Sequence, residues 1–441
     1  MKIEKFMVLA LVALLSACGG EGIENGGAGD GEAGDGDSEE YDGPTYHSDI
    51  KPLMEAHCTG CHVQDSIAPF ALETYEEVRD TAILSHATMT SGVMPPWPPS
   101  DECGPPLQGH RAMESAEIDL FKEWMDLGRV EGEPVEGQEP AGESESTLGR
   151  SPDLTLDWGF DYKPEPVGGD GIDDYRCFIV DPQLEEDKFV SLVDTRPGNA
   201  EVVHHMIAYM ATEEHADQIE ALQAEDGREG YTCFGGPRIS NSEMLAGWVP
   251  GTQPVAYEAG HGVRMEAGSR LVVQMHYNTL NDPEGTDRTE LDLYFVDEEE
   301  HPNPTELVMV PLSQGGLFVE AGDPDGVAYA EGPDIPIPIM LHGIAPHMHT
   351  LGTEILVEVD SGGEDMCLIH IPEWDFNWQG FYLYEEPFQL QPPAKTRLTC
   401  RYDNSAENQP PGREPQDVTW GDGTYDEMCL VYFIIERPPG F

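Results

Sequence analysis

Val202-Val203-His204-His205-Met206-Ile207-Ala208-Tyr209-Met210 and Arg270-Leu271-Val272-Val273-Gln274-Met275-His276-Tyr277-Asn278 set imidazoles inside runs of β-branched, aromatic and thioether side chains. Short runs of this kind, bounded by Gly, Pro, Asn and Asp, read as strands. Phe189–Asp194, Glu290–Val296, Glu354–Val359 and Cys429–Ile435 have the same texture. From about residue 152 the chain is therefore expected to form two antiparallel, jelly-roll-like β-sandwiches, over 152–300 and 301–441, changing over near Asp297 to Pro304. Residues two apart on a strand share a face. In Pro346-His347-Met348-His349 both imidazoles then point the same way, and Gln274 lies beside His276. A lone buried histidine is ordinarily a hydrogen-bonded core residue. Clustered imidazoles accompanied by Met206, Met348 and Met428 are instead a donor set that suits copper in both its oxidation states.

Upstream the texture changes. Residues 45–130 read as a small all-α domain, closed by Ser115-Ala116-Glu117-Ile118-Asp119-Leu120-Phe121-Lys122-Glu123-Trp124-Met125, with Gly128 as a stop. Near its start stands Cys58-Thr59-Gly60-Cys61-His62. In an exported protein Cys-x-x-Cys-His is the attachment signal for haem c: two thioethers, with His62 as an iron ligand. A thiol–disulfide pair or half a zinc site is the alternative. The adjacent His62 and the lack of a second Cys-x-x-Cys stand against both. Met94, before Pro95-Pro96-Trp97, is the candidate sixth ligand, with Met89, Met113 and His110 as rivals. This segment resembles the Met-before-proline loop of class I cytochromes c. Iron held by His62 and Met94 has no open position and suits electron transfer.

Lys2 and Lys5 precede the apolar run Phe6–Leu14 and Leu15-Ser16-Ala17-Cys18, the layout of a signal peptide over 1–18. The ending resembles a bacterial lipobox, which implies a lipid anchor on Cys18 and a protein facing the periplasm or the cell exterior. Residues 19–44 and 131–151 are acidic, Gly-rich or Pro-rich linkers. Of the 441 residues, 39% are hydrophobic, enough for packed cores. Lys and Arg total 22 against 85 Asp and Glu, a net charge of −63 that excludes a nucleic-acid partner.

The four blocks HHM (204–206), QxHY (274–277), HxHTLG (347–352) and DEMC (426–429) resemble, in order and spacing, the copper type II ascorbate-dependent monooxygenases. That family includes the peptidylglycine α-hydroxylating and dopamine β-monooxygenases. The resemblance implies two copper ions facing one another across a solvent-filled cleft. His204, His205 and His276 would hold the electron-storing copper. His347, His349 and Met428 would hold the catalytic one, with Gln274 and Tyr432 in supporting places. It further implies an O2-dependent hydroxylation of a C–H bond on a small-molecule substrate, and a reductant. The peptide-amidating members grip a substrate carboxylate with an Arg and an Asn. Here those positions are Ala345 and Leu430, so a neutral substrate is expected. The family's bridge after the copper-binding Met implies a Cys400–Cys429 disulfide. Cys103, Cys177, Cys233 and Cys367 stay unassigned, since six cysteines allow 15 pairings. The remaining histidines, among them His261 and His342, read as surface or core residues. The expected function is a copper monooxygenase fed by its own haem. A non-catalytic electron-transfer or copper-binding lipoprotein is the alternative.

Overall fold

The computed structural model describes residues 41–441 except 65–67, 136–148, 167–170, 226, 235, 241, 250–253, 281, 410–411, 422, 424 and 441. Cys18, the signal peptide and most of both linkers lie outside the described residues.

Among the described residues an eight-stranded sheet forms the spine. It runs Leu154–Leu156, Glu290–Phe295, Lys188–Arg196, His261–Met265, Thr305–Ser313, Leu430–Glu436, Ile339–His347, Tyr382–Leu390. A five-stranded sheet built on Asp173–Val180, Arg270–Asn278 and Val203–Ala211 packs on its first half. Phe178, Met206 and Val273 there meet Val190, Val263, Leu293 and Leu307. A four-stranded sheet packs on the second half, placing Ile355, Val357 and Leu398 against Leu341, Ile344 and Val431.

Burial follows the period of two where one face meets solvent: Gly326–Glu331 and Ala394–Tyr402 alternate along their length. Arg270–Asn278 is buried on both faces and reads as a continuous apolar run. The expected β-sandwiches are present, and among the strands of the described residues one pairing departs from antiparallel. Crossing from one half to the other, His261–Met265 and Thr305–Ser313 pair in parallel, Thr305 opposite His261. The two halves thus share one continuous eight-stranded sheet.

The helical part comprises Lys51–His57, Tyr75–Thr90 and Ser115–Asp126. The second begins with a capping box, in which Thr74 N donates to Glu77 (2.9 Å) and Glu77 N to Thr74 Oγ1 (3.4 Å). Phe121 and Trp124 are fully buried against Ile50, Met54 and Val78. Gly128, at φ +101°, ends the third helix.

This part is fastened to the second sandwich. Ser100 N donates to His370 O (2.8 Å), Glu385 N to Pro106 O (2.9 Å), and Cys103 is joined to Cys367. Gly104 is required at the crossing: at φ +87°, an added Cβ would sit 2.3 Å from Leu368 O. Cys177–Cys233 and Cys400–Cys429 complete the disulfides, the latter as the resemblance implies. Disulfides persist in oxidising compartments, which fits an exported protein. No helix among the described residues is long and apolar enough to cross a membrane.

Candidate metal centres

His204, His205 and His276 converge. His205 Nδ1 is 3.1 Å from His204 Nδ1 and 3.3 Å from His276 Nδ1. Strict alternation would put the adjacent His204 and His205 on opposite faces. The register shift between Val203 and His205, against Arg270–Asn278, turns both toward His276. His276 is buried, stacks on Tyr175 at 4.1 Å, and places Nε2 3.0 Å from Asp173 Oδ1. A carboxylate on the far nitrogen is the usual way a metal-binding imidazole is oriented. Three nitrogens within 4.8 Å of one another, one so held, fit a copper ion.

The second set lies at the end of Ile339–His347. His347 Nε2 and His349 Nε2 are 3.1 Å apart. Their outer nitrogens are occupied, His347 Nδ1 by Gln379 Oε1 (2.5 Å) and His349 Nδ1 by Asp426 O (3.1 Å). Met428 is buried, and its backbone is tied to the same place by Glu427. The Glu427 carboxyl group accepts from the N–H groups of His349 (2.9 Å), Leu351 (2.6 Å) and Met428 (3.3 Å). Burial pushes that carboxyl group up to about 8, opposed by those same N–H groups. Trp374 Nε1 donates to His349 O at 3.2 Å. Two converging imidazole nitrogens, with their outer nitrogens held, fit a copper ion.

Phe376 touches both sets: its ring stacks on His204 at 5.1 Å and meets His349 edge-on at 5.9 Å. Asp173, Phe376, Gln379 and Glu427 went unread in the sequence. Only Glu427, an acid inside the Asp426–Cys429 block, carried a signal there. Gln274 is buried and donates to Cys233 O at 2.7 Å, bracing the neighbouring chain. Tyr432 lies opposite Ala345, and Leu430 opposite His347. A cavity of about 70 Å³, lined by Val190, Leu192, Leu245, Val255, Met309 and Phe381, separates the halves nearby. It is smaller than the roughly 150 Å³ that holds a benzene ring, so it is not the substrate site as it stands.

The imidazoles share one electrostatic condition. Burial, then neighbouring imidazoles where they act, lowers all five: His347 to about 4, His349 to about 3, and His205 and His276 well below the usual range. They stand neutral, as copper ligands must. Unfolded histidines titrate near 6.5, so as pH falls below that value the unfolded chain takes protons that the folded one refuses. The metal-free protein is expected to lose stability from pH 6.5 toward 4, the five histidines outweighing Glu427, whose raised carboxyl group works in the opposite sense. Copper should flatten the loss. Thermal unfolding across that range, with and without copper, checks it; identical curves would contradict it.

In the helical part, His62 Nδ1 lies 2.9 Å from Phe70 O, which leaves Nε2 for a ligand. His62 N donates to Cys58 O at 2.9 Å, and Cys58 packs on the helical core. Cys58 and Cys61 are half-buried and unjoined, while the other six described cysteines pair. Burial pushes the Cys58 thiol up to about 12, the reverse of a reactive dithiol. Two unjoined thiols beside an oriented imidazole fit a haem. Met94 is half-buried after Tyr75–Thr90, its N–H bonded to Thr88 O at 3.2 Å. Its rivals are engaged: Met89 is buried in the core, Met113 packs against it, and His110 Nε2 lies 3.0 Å from Asp101.

Residues 332–435 match the family described as copper type II ascorbate-dependent monooxygenase, C-terminal domain. A DBH-like monooxygenase protein 1 of Gallus gallus is 22% identical over 260 residues, covering 53% of this chain and 39% of the relative. The chain thus spans about two-fifths of that relative's length. Both matches point to the copper type II monooxygenases, the family match resting on residues 332–435 alone. A PBCV-1 virus capsid chain is similar at 8% identity and a TM-score of 0.20, covering 61% of this chain and 95% of that chain; so low a score carries no fold argument.

Proposed function

We propose that the protein hydroxylates a C–H bond of a small neutral molecule, using O2 and two copper ions, with electrons delivered through a haem on its own helical part. The balance is R–H + O2 + 2e⁻ + 2H⁺ → R–OH + H2O, which two one-electron deliveries satisfy. The convergence of His204, His205 and His276 opposite His347 and His349, with Phe376 against both sets, carries the reading. Copper supplies one-electron redox chemistry and O2 activation. His347, His349 and Met428 hold one ion, and His204, His205 and His276 the other. Asp173 and Gln379 fix ring orientation, and Glu427 fixes the loop that presents Met428. Supporting roles near the copper sites for Gln274 and Tyr432 belong to the same proposal.

Cys58, Cys61, His62 and Met94 hold the haem. The loop after Met94 supports its part as electron donor. Trp97 meets Tyr382 edge-on at 5.8 Å, an added Gly380 Cβ would lie 3.3 Å from the Tyr382 ring, and Gln379 binds His347. Ala345 and Leu430, both buried, support a neutral substrate, since neither can pair a carboxylate. Lipidation of Cys18 would tether the mature protein to a membrane.

The test is a screen of neutral organic compounds with ¹⁸O2 on copper-loaded protein. One labelled oxygen atom per product is expected. Label arriving only from water would overturn hydroxylation, and efficient turnover of peptidylglycine with none of phenylethyl-type compounds would overturn the substrate class.

A further inference from the structure

A second cluster of ligating side chains stands away from both copper sets, where the two halves of the spine meet. Glu258, His261 and His342 bring one donor atom each within 4.8 Å of one another. Glu436 joins them: its Oε1 is 3.8 Å from His261 Nε2 and 3.5 Å from His342 Nε2. The backbone builds this arrangement by two separate devices. Glu258-Ala259-Gly260-His261 is a tight turn closed by His261 N donating to Glu258 O at 3.0 Å. Gly260 holds the left-handed position at φ +79°, where an added Cβ would come 2.9 Å from His301 Nδ1. The turn sets Glu258 and His261 side by side. On the other half, Ile339–His347 carries a bulge between Leu341 and Gly343 against both neighbouring strands, and His342 is the extra residue. Bulges re-aim side chains.

His342 is 4% exposed, and its Nε2 is buried without a hydrogen-bond partner. The nearest acceptor, Glu436, stands at ion-pair range only. A buried polar atom without a good partner is costly, which favours an occupant between His342 and Glu436. His261 is prepared as well: its Nδ1 contacts Ala259 O at 3.2 Å, leaving Nε2 for the same point.

We propose that Glu258, His261, His342 and Glu436 form a third metal site, distinct from the copper sets, that takes a zinc ion. Two imidazoles and two carboxylates without a thioether favour Zn(II) over Cu(I). Four protein donors close a tetrahedron, which marks a structural site. Glu258 and His261 belong to the first half of the chain, His342 and Glu436 to the second. Zinc therefore clasps the seam where His261–Met265 and Thr305–Ser313 pair in parallel.

The full-length protein, reduced and preloaded with Cu(I), is titrated with ZnCl2 and its metals counted after gel filtration. One zinc per chain beyond the copper is expected, with a rise in Tm. Glu258→Gln and His261→Ala change exposed or half-buried positions, so the fold should survive. Each should weaken zinc binding more than ten-fold and remove the Tm rise while copper content stays the same. His342→Ala should do likewise, and circular dichroism separates loss of zinc from loss of fold. Equal zinc uptake by wild type, Glu258→Gln and His261→Ala would overturn the site, as would no zinc above the copper in the wild type.

Discussion

Met428→Ala is expected to abolish O2-coupled hydroxylation, lowering the rate more than about 100-fold, while the haem spectrum is unchanged. Removing even an outer partner of a metal ligand costs roughly 10- to 100-fold, and Met428 is proposed as a ligand itself. The loss should be local. Glu427 still accepts the N–H groups of His349 and Leu351, and Tyr402 still donates to the Met428 carbonyl at 2.8 Å, because none of these bonds uses the thioether. The His204 set stands on another sheet and should keep its copper. Product formation, O2 uptake and copper content check this together. Retained turnover in the variant would remove Met428 from the site.

Breaking the Cys103–Cys367 bridge should have the next largest effect. It joins residues 264 apart in sequence and, with the bonds at Ser100 and Pro106, holds the helical part on the second sandwich. Closing so long a loop contributes roughly 2–4 kcal/mol. The double variant Cys103→Ser/Cys367→Ser should melt at lower temperature. It should also slow electron delivery from haem to copper, since the Trp97–Tyr382 contact depends on this docking. Turnover with an external reductant that reaches copper directly should be spared. Unchanged melting and unchanged delivery in the double variant would show that the bridge holds nothing the other contacts do not.

The sheet nature of the chain after residue 150 was legible because apolar runs of strand length carry the period of two. His347 and His349 were legible on the same ground, two apart at a strand end. His204 beside His205 was legible only through the HHM block, since alternation separates neighbours and the register shift at Val203/His205 reunites them. His342 was lost for the same reason, a bulge that period-two reasoning cannot see. Phe376 and Gln379 sit in the loop before Tyr382–Leu390, far in sequence from the imidazoles they touch. The Cys103–Cys367 pairing was out of reach, because six cysteines fix no connectivity. The helical part was expected to ride on a flexible acidic tether. The structure pins it to the second sandwich through residues 97–111, in which His110 alone had been weighed, as a rival haem ligand.

One measurement bears most directly on a haem-fed copper monooxygenase. The haem of the whole protein is reduced and mixed rapidly with O2, and its reoxidation is followed in copper-loaded and copper-free protein. Electron delivery through Trp97 and Tyr382 predicts markedly faster reoxidation when copper is present, and slower reoxidation again in Trp97→Leu. Equal rates with and without copper would contradict it.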